Sequence, residues 1–183
     1  MAHLSVNEQA HDFLFETPWQ ASQNFFAATE GKRVILLFLR YYGCTTCQLE
    51  IHQLIHDYPR FKAAGVELYI VLQSSAETII SQVGRGDIPF EIILDPRQKL
   101  YRTYNIGSRD PDAARSEQHQ AKVKKARDLG FIHGAYEGNE LQLPATFIIG
   151  PDHRIEYAYY GQEGSDIPAH DVLLEKLAQL RTR

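Results

Sequence analysis

A chain of 183 residues, 44% of them hydrophobic, is long enough to bury a substantial core and too apolar to be disordered. A formal net charge of -4 and a pI near 6.0 supply no long-range attraction for nucleic acid or anionic lipid, which leaves small molecules and proteins as partners. No apolar run approaches the roughly 20 residues of a membrane helix, and no basic stretch followed by an apolar one opens the sequence, so a cytoplasmic protein without a membrane partner is expected.

Residues 1–33 read as a polar N-terminal extension with aromatic anchors at Phe13, Phe15, Trp19, Phe25 and Phe26. Residues 34–39 are apolar without alternation, as suits a strand covered on both faces. After Cys47, Ile51, Leu54, Ile55, Tyr58 and Phe61 recur at helical spacing until Gly65. Residues 66–72 predict a second strand, 76–83 a serine-capped helix and 90–94 a third strand. Asp95 and Pro96 break that strand before a short helix over 97–104.

Residues 108–140 are rich in charge and predict a partly helical surface insertion. Their basic cluster Lys122, Lys124, Lys125 and Arg127 is too short for a nucleic-acid site. Residues 143–149 and 155–160, joined by the turn Gly150-Pro151-Asp152, predict an antiparallel hairpin, and 168–180 an amphipathic closing helix. Strands alternating with helices predict one α/β domain over 1–183, a central mixed β-sheet flanked by helices.

The two cysteines form Cys44-Thr45-Thr46-Cys47, where the first strand gives way to a helix. Free N–H groups and the helix dipole favour a negative charge there, and the thiolate is the nucleophile of disulfide exchange. The spacing lets one sulfur resolve a mixed disulfide formed by the other. Two inert buried thiols, or half of a zinc site completed by His52 or His56, are the competing readings, although zinc favours four ligands and no second cysteine pair exists.

The order strand, Cys-x-x-Cys, helix, strand, helix, strand, then Leu143-Pro144-Ala145-Thr146-Phe147 opening a hairpin before a last helix, resembles the thioredoxin superfamily. The run Phe38 to Glu50, with Leu94-Asp95-Pro96 and the segment Thr146 to Asp152, is similar to the alkyl hydroperoxide reductase/thiol-specific antioxidant family of peroxiredoxin-like proteins, and within it to the peroxiredoxin-like-2 group. The resemblance implies a thioredoxin-like fold in which Pro144 is cis and packs against the cysteines. It also implies no cofactor or metal, a thiol, disulfide or peroxide substrate, a thioredoxin or glutathione system as reductant, and a homodimer.

Laying the peroxiredoxin run Pro-x-x-x-Thr-x-x-Cys on this sequence puts Arg40 at the proline, Cys44 at the threonine and Cys47 at the peroxide-attacking cysteine. The family's later arginine falls at or beside Pro144 and is missing, and Arg40 can replace its charge if it points back at the sulfurs. Glu50 matches the acidic position after the cysteine. Thioredoxin resemblance makes Cys44 the nucleophile; peroxiredoxin resemblance makes it Cys47, with Cys44 resolving. The expected function is thiol–disulfide oxidoreduction. Thiol-dependent peroxidase activity and a non-catalytic binding or sensor role are the alternatives. Tyr41 and Tyr42 flank the motif and can shield or hydrogen-bond the sulfurs.

Overall fold

The β-branched and aliphatic runs of the sequence pair into a five-stranded sheet in the order β5-β4-β3-β6-β7, seen in a computed structural model that describes residues 3–181. The strands are β3 (Arg33–Phe38), β4 (Val66–Leu72), β5 (Glu91–Leu94), β6 (Ala145–Ile149) and β7 (Ile155–Tyr160). β4 and β5 run parallel to β3, whereas β6 pairs antiparallel to β3 and β7 antiparallel to β6, so the sheet is mixed. Central β3 is buried along all but its first residue, the condition that its unbroken apolar run anticipates.

Alternate residues of β3 serve opposite cores. Ile35, Leu37 and Leu39 pack with Cys44, with Cys47, Ile51, Leu54 and Phe61 of helix α2 (Thr45–Ala63), and with Leu173 and Leu177 of α6 (His170–Arg181). Val34, Leu36 and Phe38 meet Phe15, Phe25, Tyr101, Tyr104 and Phe147 on the other face. Phe13, Phe15, Phe25 and Phe26 therefore close the second core, whereas Trp19 packs against the first. The phenylalanines do so from a two-residue pair, β1 (Leu14–Phe15) with β2 (Gln23–Asn24), followed by the short helix α1 (Phe25–Ala28), elements too brief to leave a periodic signature.

The predicted helices differ from the observed ones at their ends. α3 (Ala76–Ile80) is shorter than the 76–83 expectation, although its cap is the expected serine: Ser75 accepts from the Thr78 amide. α4 (Lys99–Thr103) starts later than 97 because Gln98 is left-handed, at φ 54°, and Asp95 instead accepts from the amides of Lys99 and Leu100. α2 ends at Ala63, capped by Ala64, and Gly65 follows with a φ of +67° that suits glycine. α5 (Glu117–Asp128) lies within the charged segment and is largely exposed, with His119 and Ala126 buried and Lys122 and Val123 half-buried. Among the described residues, no helix is long and apolar enough to cross a membrane.

Candidate functional site

The chain beyond β3 is held rigidly before it reaches the cysteines. Leu39 N–H donates to Val71 O (3.1 Å) and Gln73 N–H to Arg40 O (2.8 Å), so the parallel ladder extends past the strand. The buried Tyr101 hydroxyl donates to Leu39 O (2.5 Å), and Tyr42 N–H donates to Ser74 Oγ (2.8 Å). Arg40 thereby leaves the sheet in a fixed direction, with its guanidinium over the Tyr41 ring at 5.9 Å from the centroid.

Cys44 is the N-cap of α2. Its sulfur takes the place that a serine or aspartate oxygen usually fills, accepting from the Cys47 amide at 3.3 Å. Arg40 Nη2 donates to the same sulfur at 3.0 Å, Thr46 Oγ1 lies 3.3 Å away, and the Cys47 thiol donates from 2.7 Å. Both cysteines are free and almost wholly buried.

Four donors around one sulfur form a thiolate site, and the two thiols separate in acidity accordingly. Burial opposes ionisation of Cys44, but the hydrogen bond from Cys47, the Arg40 charge, the Thr46 hydroxyl and the Cys47 amide outweigh it and hold the thiol well below its ordinary range. Burial pushes the Cys47 thiol far up, and the hydrogen bond it gives to Cys44 and the charge on that sulfur push it further. The Arg40 guanidinium is disfavoured by burial, yet the cysteine pair beside it, with the hydrogen bond to Cys44 Sγ, keeps it charged. The Arg40 side chain thus points back at the cysteine pair.

Of the residues singled out in the sequence, Cys44, Cys47 and Arg40 come together. Glu50 is buried elsewhere on α2, where it meets His170 Nε2 at 3.1 Å at the start of α6. His170 Nδ1 meets Asp57 at 2.7 Å, so the imidazole bridges two carboxylates between α2 and α6; a buried carboxylate needs such a partner. Burial works against the imidazolium, but Glu50 and Asp57 raise His170 above the ordinary histidine value.

The expectation of a cis proline is not met: no peptide bond among the described residues is cis, and Pro144 is trans, the default where nothing compels the alternative. Its position relative to the site follows from the ladder. Phe38 pairs with Ala145, so Pro144 stands level with Leu39 at the cysteine end of the sheet, and its carbonyl accepts from Gly161 N–H at 2.9 Å.

His56 is exposed and hydrogen-bonds to Asp57, and His52 meets the Phe131 ring edge-on. Among the described residues no group of three or more His, Cys, Asp or Glu side chains is placed to hold a metal. Tyr41 is buried with its hydroxyl 2.9 Å from His133 Nε2. Thr46, inside the motif, and His133, some 90 residues away, were not singled out in the sequence. A hydroxyl between two cysteines at a helix start is a readable signal for Thr46, whereas nothing local marks His133.

The sequence profile of the AhpC/TSA family matches residues 6–158. The thiol-disulfide oxidoreductase ResA of Bacillus cereus is 28% identical over 88 residues, 43% of this chain and 51% of that protein. Peroxiredoxin-like 2C of Bos taurus is 23% identical over 146 residues, 74% of this chain and 63% of the relative. The chain thus spans between half and two thirds of the length of these relatives. Among solved structures, a cysteine mutant of peroxiredoxin 6 from Arenicola marina superposes with a TM-score of 0.69 at 19% identity, covering 97% of this chain and 74% of that one, which shows a shared fold. With a mixed sheet, a cysteine pair capping the first long helix and the profile match over most of its length, the chain belongs to the AhpC/TSA family.

Proposed function

We propose that this protein is a thiol–disulfide oxidoreductase in which Cys44 attacks and Cys47 resolves. The observation that carries the reading is the convergence of Arg40, Thr46, the Cys47 amide and the Cys47 thiol on Cys44 Sγ. The Cys44 thiolate attacks one sulfur of a disulfide substrate, forming a mixed disulfide and expelling the other half as a thiolate. Arg40 and the helix start, which held the negative charge on Cys44, lose it at this step. Cys47 then gives up its proton to the thiolate released in the first step and attacks Cys44 Sγ; the mixed disulfide breaks, the second substrate thiolate leaves and is protonated by solvent, and the Cys44–Cys47 disulfide remains. The substrate has been reduced by two electrons, and an external dithiol, protein or small thiol returns the pair to its starting state. ResA carries this activity in its name, and the match to it supports the reading.

Family membership and the name of the peroxiredoxin-like relative favour a second reading, peroxide reduction. In it the Cys44 thiolate takes one oxygen of the peroxide to become a sulfenic acid, with water or an alcohol leaving. Cys47 condenses with that acid to give the same disulfide and a second water. The high-lying Cys47 thiol makes Cys44 the attacking residue here too, the reverse of the assignment obtained by aligning the peroxiredoxin run.

Rapid mixing of the reduced protein with a small disulfide and, separately, with hydrogen peroxide tests the two. Disulfide exchange is expected to yield the Cys44–Cys47 bond readily, with peroxide reacting at the rate of an ordinary thiolate. A peroxide rate about a thousandfold above that reference transfers the assignment to the second reading. Failure of both reagents to produce the bond overturns both.

A further inference from the structure

A catalytic sulfur must be reached, yet Cys44 and Cys47 are 0% and 2% exposed. Residues 131–140, which follow α5, cross the start of α2 beside Gly43, the residue before Cys44. Gly134 N–H donates to Gly43 O at 2.8 Å. The Gln48 side-chain amide donates both to Gly43 O (3.1 Å) and to Ile132 O (2.9 Å), tying α2 to the crossing segment. Tyr41 and His133 meet at 2.9 Å, and Arg40 Nη1 donates to Glu140 O at 2.9 Å. Farther out, Glu137 accepts from Ser75 N–H and the Thr78 hydroxyl, and Asn139 N–H donates to Gln73.

The crossing is tight enough to dictate sequence. A Cβ on Gly43 would lie 2.6 Å from Ala135 O, and one on Gly134 would lie 3.1 Å from Gly43 Cα. Gly43 does not have a positive φ, so its need for glycine is this approach of two backbones and not a turn. The outer side of the same segment makes few contacts: Ile132 is 82% exposed and Tyr136 71%. The segment is thus pinned from beneath by hydrogen bonds to the very residues that surround Cys44, without a packed apolar core to anchor it, the pattern of a segment that opens locally at low cost.

We propose that residues 131–140 are a strap that determines which substrates reach Cys44, admitting small reagents of a few heavy atoms through small fluctuations and bulky disulfides only when it lifts. The proposal rests on the thiol-redox reading and adds its specificity element. Lifting removes the Glu140 carbonyl from Arg40 and His133 from Tyr41 together, so opening the strap alters the surroundings of the nucleophile's cation as well as its access.

The test compares alkylation of the reduced full-length protein by iodoacetamide and by a maleimide carrying a long polyethylene glycol chain, in wild type, Gly43→Ala and Gln48→Ala. Relative to the same protein unfolded in urea, wild type is expected to discriminate against the bulky reagent by about tenfold or more. Gln48→Ala, which removes two hydrogen bonds without touching a backbone, is expected to raise the bulky-reagent rate about tenfold while changing the iodoacetamide rate less than about threefold. Gly43→Ala, checked for folding by its melting temperature, is expected to do the same. Wild type that reacts with the bulky reagent as its unfolded chain does, or a Gln48→Ala protein within about twofold of wild type, overturns the strap. Size discrimination in a protein whose thiols never form a disulfide would leave the strap standing and remove the redox reading instead, so the two fail separately.

Discussion

A Cys47→Ser protein mixed with a small disulfide is expected to stop as a stable mixed disulfide on Cys44, whereas Cys44→Ser is expected to lose turnover by roughly three orders of magnitude or more. The asymmetry follows from what surrounds each sulfur. Cys44 receives four donors and ionises easily; Cys47 gives one of those hydrogen bonds and is held protonated by burial and by the charge beside it. Replacing Cys47 by serine retains a hydroxyl donor near Cys44 and its backbone amide at the cap, so the nucleophile survives while the resolving step is lost. Replacing Cys44 removes the only sulfur with the surroundings of a thiolate. Intact mass measurement distinguishes these species: an adduct of one substrate half on Cys47→Ser, and none on Cys44→Ser. Equal trapping by the two variants would show that the sulfurs are interchangeable and that the Arg40 contact does not select between them.

Arg40→Met is expected to move the acid limb of Cys44 alkylation to higher pH by about 1–2 units, the equivalent of the 1.5–3 kcal/mol typical of a hydrogen bond to a charged group. Arg40 lowers the Cys44 thiol by its charge and by a 3.0 Å hydrogen bond, so its removal raises that thiol toward the ordinary range. On the acid side, where wild type still holds thiolate and the variant does not, the rate should fall about ten- to a hundredfold. On the alkaline plateau both are ionised and the more basic thiolate is the better nucleophile, so the variant should be faster by about three- to eightfold for a Brønsted slope near 0.45. Crossing pH profiles are the signature of an electrostatic role. A uniform drop at all pH values would show instead that Arg40 only shapes the site.

Much of this architecture is legible in the sequence because each signal is local. The β-branched run of β4 is bounded by Gly65 and Gln73 and falls on residues 66–72 as expected, and the cysteine pair falls on the helix cap because a strand end and a helical repeat bracket it. The Ser75 cap is equally local. What escapes is set by contacts distant in sequence. The two-residue strands β1 and β2 exist because Phe15 and Phe25 fill the second core, not because of any repeat of their own. Pro144 follows the trans preference of X–Pro bonds despite a resemblance that suggested otherwise.

Residues 131–140 illustrate the same limit most clearly. Gly134 and Ala135 fall in what reads as a partly helical surface insertion, and the partner that fixes them, Gly43, lies about 90 positions earlier in the chain. Arg40 falls between these cases. Its charge beside the cysteines is visible, and the direction of its side chain depends on the ladder contacts of Leu39 and Arg40 with β4 and its extension, which only the fold supplies.

Whether Cys44 is the ionised nucleophile of the pair is read out by brief iodoacetamide labelling of the reduced wild-type protein at mildly acidic pH, followed by peptide mass analysis. Label is expected on Cys44 alone, at a pH where an ordinary thiol is inert. Label on Cys47, or on neither sulfur until the pH approaches the ordinary thiol range, would contradict it.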